Sequence, residues 1–192
     1  MAPLPARQGW PWLAASAVIA ATLLARAVLC ADGSIDAAGS SLVATFTQQR
    51  VPVDAPFKVF SGTIDYDAAH PEATKAALRV DVGSLDLGDA DASAELRKPA
   101  WFDYSHHPNA SFQSTSVKRG ADGHLEVGGT LEIKGHAQPI TVSVSVQASG
   151  ATRTFDGSFE LSRKAFGIGD AAWDGVLDDR VRVRFHLLAA GG

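Results

Sequence analysis

The chain has 192 residues, 46 % of them hydrophobic, and a net charge of −4. That is enough apolar material for one core of ordinary size, and it excludes a disordered chain. An acidic balance is a poor one for binding nucleic acid or an anionic membrane surface. Cys30 is the single cysteine, so no internal disulfide can form.

Residues 1–31 read as an export segment. Arg7 supplies a weak basic start, and Trp10 to Leu24 is almost uniformly apolar. Cleavage after Ala27 or Ala31 would leave Val28 or Asp32 first. About 15 apolar residues are short for a membrane span, which needs roughly 20. An uncleaved anchor would have to run past Arg26 to Leu29. Cys30 invites a lipid-attachment reading, although Leu29 before it is larger than such sites favour. Removal of residues 1–31 takes away Arg7 and Arg26 and no acid, leaving 15 basic against 21 acidic residues, a net charge of −6. Residues 32–192 are the expected mature domain, exported by that segment.

From Ser41 to Leu188 apolar and polar residues alternate, the signature of strands with one buried and one wet face. Leu42, Ala44 and Phe46 share one face of a first strand. Gln48 to Pro56, with Pro52 and Pro56, is expected to bend or break pairing. Phe60, Ile64 and Tyr66 fit a second strand, and Leu78, Val80 and Val82 a third, after a turn at Asp67 to Pro71. Asp89 to Lys98 is Ala-rich and reads as one short helix, closed by Pro99.

Ala110 and Phe112 mark a fourth strand. Leu125, Val127, Leu131 and Ile133 mark a fifth. Ile140, Val142, Val144 and Val146 give the sixth, with Thr141, Ser143 and Ser145 on its other face. Phe155, Phe159 and Leu161 make a seventh, and Val181, Val183, Phe185 and Leu187 an eighth. Eight one-sided antiparallel strands with short connections predict an all-β, up-and-down barrel. Glycines within strands, such as Gly62, Gly128, Gly129 and Gly157, suit the bends that closure needs. Whether side chains fill the barrel or leave a ligand cavity stays open at this level.

Phe60, Ile64, Val80, Phe112, Leu131, Val142, Phe159 and Phe185 lie on the apolar phase of their strands and are the candidate tunnel wall. Trp101, Phe102, Tyr104 and Trp173 fall outside regular strands. They would either plug a barrel end or line a ligand mouth.

Catalytic and metal signatures are missing from the sequence. His70, His106, His107, His124, His136 and His186 show no zinc-protease spacing and no cysteine partners. Gly167 to Ala172 formally matches G-x-G-x-x-A, but the parallel βαβ context that motif needs is lacking. Asp89 with Asp91, and Asp178 with Asp179, have no nucleophile or base beside them. We therefore expect no catalytic residue, no metal and no cofactor.

The order of several stretches resembles the YceI-like proteins, periplasmic lipocalin-type barrels that bind polyisoprenoids. The stretches are Phe57 to Tyr66, Val82 to Asp86, Glu95 to Lys98 with Trp101 to Asp103, Pro108 to Phe112, Gly129 to Gly135 with Pro139 to Val142, and Arg163 to Gly169. The resemblance covers about Ser40 to Ala189. It implies a long apolar tunnel for a polyprenyl or quinone-like lipid and no catalysis. Some relatives are joined to, or encoded with, a di-haem membrane cytochrome b, and Phe166 to Gly169 followed by Trp173 is similar to that branch. A docking module for such a cytochrome, with a full, dry core, is the rival reading.

Overall fold

The structure is a computed structural model and describes residues 33–190. The export segment and Cys30 lie outside these residues. Nine antiparallel strands form one curled sheet: β1 (Ser41–Gln48), β2 (Val51–Pro56), β3 (Phe60–Asp65), β4 (Lys75–Asp81), β5 (Asn109–Arg119), β6 (Leu125–Ile133), β7 (His136–Ser149), β8 (Thr152–Ser162) and β9 (Leu177–Ala190). Their order is β2-β1-β9-β8-β7-β6-β5-β4-β3. From β3 onward this is a meander of neighbours, and β1 then pairs with β9.

The strand count is nine and not eight, because Val51–Pro56 is a strand. It pairs with β1 through Thr47 opposite Pro52 and Val43 opposite Pro56. Proline is tolerated there because β2 is an edge strand, where a missing N–H costs no ladder bond. The connecting turn holds Gln49 at φ 50° and Arg50 at φ 68°. Two successive positive φ values match the twist of a tight hairpin. Neither residue is the glycine or asparagine that usually marks such a turn.

The sheet's edges, β2 and β3, do not pair in a ladder. Ser34 and Ile35 bridge the gap at one end, Ser34 to Thr63 of β3 and Ile35 to Ala189 of β9. The Ile35 N–H donates to Gly62 O at 3.0 Å, and the Asp36 N–H to Leu188 O at 2.8 Å. Toward the other end the Asp86 N–H donates to Pro56 O and Phe57 bridges Leu85.

The single short helix, α1 (Ala90–Glu95), lies in the β4–β5 connection. The Asp89 carboxylate caps it by accepting the Ala92 N–H at 2.8 Å, and Asp91 in the first turn suits the helix dipole. No helix among the described residues is long and apolar enough to cross a membrane.

Outward positions of β8 and β9 carry an ionic ladder. Arg182 and Arg180 both reach Glu160, at 2.9 and 3.3 Å, and His186 meets Asp156 at 2.6 Å. Hydrogen bonding from Arg182 holds the Glu160 carboxyl below its usual range. Inward positions are apolar, and Gly157 and Gly129 among them are glycines for a spatial reason. Gly157 faces Phe185 across the β8–β9 pair, and Gly129 lies against the Phe112 ring. A Cβ at Gly157 would sit 2.5 Å from Phe185 Cζ and 2.9 Å from Ser143 O. Gly157→Ala is therefore expected to cost about 1–3 kcal/mol by overpacking. Denaturant unfolding measures this, and an unchanged midpoint would show that Phe185 moves aside freely.

Candidate functional site

The inward faces enclose one long cavity of about 430 Å³. That is roughly thirty times the ~15 Å³ that admits one water, so it is a built space and not a packing fault. Its wall is overwhelmingly apolar. The polar residues in it are Gln48, Thr74, Glu95, Ser111, Arg163 and Asp178.

Both Leu177 and Leu187 of β9 line it. Ten residues cover about 33 Å of strand, or roughly 25 Å along the axis at the usual barrel tilt. Spread over that length, the volume forms a channel about one chain wide. Around its closed end the lining residues Leu42, Ile64, Thr74, Leu125, Val144, Phe155 and Leu187 are all buried. Around the other end Phe46, Leu87, Ala92, Glu95, Leu96, Trp173 and Leu177 are half-buried, and Gln48 and Asp178 are exposed. The mouth thus lies between α1 and the start of β9.

Of the tunnel residues expected from the sequence, the structure brings Ile64, Val80, Phe112, Leu131, Val142, Phe159 and Phe185 together in the wall. Phe60 is buried in the core but does not line the cavity. It sits at the start of edge strand β3, and Phe57 contributes to the wall instead. Trp101, Phe102 and Trp173 line the mouth end, with the two indoles 5.0 Å apart.

Tyr104 is outside the cavity, contrary to the mouth assignment. Its ring covers Gly83, where a Cβ would lie 2.5 Å from Tyr104 Cε2, and the Arg97 guanidinium stacks on it at 5.5 Å. It ties the chain after α1 to the turn at residues 82–84.

Arg163 opens one of the family-like stretches, but nothing local in the sequence marks an arginine for burial or gives it a role. It is 3 % exposed. Its Nε donates to Asp178 O at 3.2 Å, NH1 to Ile168 O at 3.0 Å, and NH2 to Leu177 O at 3.3 Å and Asp174 Oδ1 at 3.1 Å. One guanidinium thus fastens the whole β8–β9 connection that carries Trp173 over the mouth. Lys164 first and Arg163 second hold the Asp174 carboxyl below its usual range. Burial pushes the neighbouring Asp179 upward, but hydrogen bonds from the Lys164 N–H and Ser162 outweigh it and keep that carboxyl low.

The histidines stay scattered. His70, His106, His124 and His186 each pair with one nearby aspartate on the surface. Among the described residues no three His, Cys, Asp or Glu side chains gather in a group that could hold a metal ion.

A meander sheet curled around one long apolar cavity is the architecture of the lipocalin-type barrels. Within that class the chain belongs to the YceI-like family, whose model, described as the YceI-like domain, matches residues 34–189. A UPF0312 protein of Shewanella baltica is 31 % identical over 163 residues, covering 80 % of this chain and 85 % of that protein. The crystal structure of Burkholderia cenocepacia BcnA shares 36 % identity with a TM-score of 0.79, over 81 % of this chain and 99 % of that one. A polyisoprenoid binding domain from Saccharophagus degradans, at 19 % identity and a TM-score of 0.66, covers 83 % of this chain and 98 % of its own and shares the fold.

Proposed function

We propose that this protein binds one isoprenoid-type lipid, polyprenyl or quinone-like, in its barrel cavity, and acts by sequestering or carrying it without catalysis. The observation that carries this reading is the cavity itself, apolar, about one chain wide and open at one end. An unfilled apolar space of that volume costs on the order of 10 kcal/mol against a packed core, at ~24 cal/mol per Å³. That is comparable with a whole domain's stability, and it argues against the full, dry core of the docking reading. A lipid chain offsets the cost by filling the space.

The Saccharophagus neighbour supports the ligand class by what it is called. The periplasm is the proposed compartment, on the strength of the export segment. Organic extraction of the purified protein followed by mass spectrometry tests the reading. A lipid near equal stoichiometry supports it. A barrel that neither retains nor takes up lipid leaves docking on a membrane cytochrome b as the replacement.

Cavity depth sets an expected chain length. Four backbone carbons per isoprene unit extend about 4.5–5 Å, scaling from the 3.3–3.6 Å that three backbone bonds span in an extended peptide. A depth of ~25 Å takes about five units at barrel tilts and strand rises of the usual size. Affinity across a series of prenols should climb to that length and then level off. A steady climb through ten units would show that the cavity does not bound the chain.

A further inference from the structure

The closed end of the cavity is apolar except at one atom. The connection from β3 to β4 turns at Pro71–Ala73, and the Thr74 N–H donates to Pro71 O at 3.2 Å. This brings Thr74 into the cavity wall, 8 % exposed. Its Oγ1 is buried and has no hydrogen-bond partner, the one such side-chain atom among the described residues. Rotation about χ1 carries Oγ1 through three staggered positions, which lets the hydroxyl turn toward the cavity.

The mouth differs in kind. Arg163 there already has four acceptors, and Gln48 and Asp178 are in water. Unspent hydrogen-bonding capacity in a dry setting therefore lies at the floor. A valine would fill the same shape with no orphaned hydroxyl, and an orphaned buried hydroxyl is destabilising. Threonine is favourable at this place only when something in the cavity supplies the partner.

We propose that Thr74 is a polar subsite at the closed end, and that the lipid enters with its oxygen-bearing end first. A hydroxyl or ring carbonyl of the head then meets Thr74 Oγ1, and the chain runs back toward Trp101 and Trp173. A threonine hydroxyl both donates and accepts, so a prenyl alcohol and a quinone present the same usable chemistry. This proposal rests on the lipid-binding reading above and adds the orientation of the ligand and the chemistry of its deep end.

The test uses the full chain after extraction of any bound lipid. Its probes are a C20 isoprenoid alcohol, a quinone with a C20 isoprenoid chain, and the C20 hydrocarbon lacking oxygen. Thr74→Val should weaken an oxygenated probe by about tenfold, the worth of one buried hydrogen bond, and leave the hydrocarbon unchanged or tighter. Loss of the alcohol alone or the quinone alone identifies which head the floor accepts. Thr74→Ser, which keeps the hydroxyl, should keep the preference for oxygenated probes. Without ligand, Thr74→Val should melt no lower than the parent. Equal effects on all three probes overturn the proposal and place the head at the mouth, with lipid binding left standing. A lower melting temperature for ligand-free Thr74→Val also overturns it, because the hydroxyl then serves the fold. A parent that binds none of the probes removes the lipid-binding reading and this proposal together.

Discussion

Val142→Trp is expected to weaken a long isoprenoid by about 100-fold or more, and a short one by no more than the roughly tenfold that the lost Thr74 contact is worth. Val142 is 5 % exposed, lies midway along β7 opposite Val127, and forms part of the cavity wall. An indole there projects into a channel about one chain wide and cuts off the half that ends at Thr74 and Leu125. Each isoprene unit excluded forfeits about 4 kcal/mol of gross apolar burial, at ~0.8 kcal/mol for each of its five carbons. With ordering costs removed, excluding two units should still weaken a five-unit prenol by about 100-fold or more. Overpacking should cost about 1–3 kcal/mol of stability as well. Titration of two-unit and five-unit prenols against parent and variant measures the difference. Unchanged binding of both would mean the ligand does not occupy this channel.

The second large effect should come from Arg163→Met. The side chain keeps an apolar stem of similar length and loses the guanidinium. Three backbone carbonyls and the Asp174 carboxylate then lose their shared donor. Asp174 is half exposed and stays paired with Lys164, so the loss is that of the buried hydrogen bonds to the carbonyls, about 3–5 kcal/mol together, or roughly 10 °C in melting temperature for a domain of this size. Arg163→Lys should recover little, because one ammonium cannot present a planar fork to four acceptors. Calorimetry on the three proteins decides it. A melting temperature within a degree or two of the parent would show that the mouth connection holds without the guanidinium.

Most of the barrel was legible because its information is local. A period of two fixes which face of β7 or β9 is inward, and the seven wall residues follow from that parity alone. Parity failed where geometry changes without a sequence mark. In β5, Phe112 and Val117 share the inward face although five residues separate them. A register shift between Ser114 and Ser116 moves the phase by one, so only the start of that strand was recognised. The β1–β2 hairpin was hidden by a tight turn built from glutamine and arginine, which bear no turn signature. Tyr104 was misplaced because an aromatic in a connection can face the cavity or cover a backbone, and only the neighbouring Gly83 decides between them. Thr74 and Arg163 owe their importance to partners, absent in one case and four in the other. Partner sets are long-range properties that no local pattern encodes.

The pairing of β1 with β9 has a kinetic consequence. Ser41 opposes His186, 145 positions later in the chain. The ladders from β3 to β9 each join strands adjacent in the chain, and their connections are far shorter than that separation. The closing ladder has to overcome the loop entropy of nearly the whole domain before its first bond is made. Topologies dominated by such distant contacts fold in milliseconds to seconds, far slower than helical bundles of equal stability. Until β1 docks, the inward face of the meander remains open along its β9 edge. Docking of β1 is thus the step that first encloses the cavity, and a lipid lying on the open sheet at that moment would be enclosed with it, a route separate from entry through the mouth.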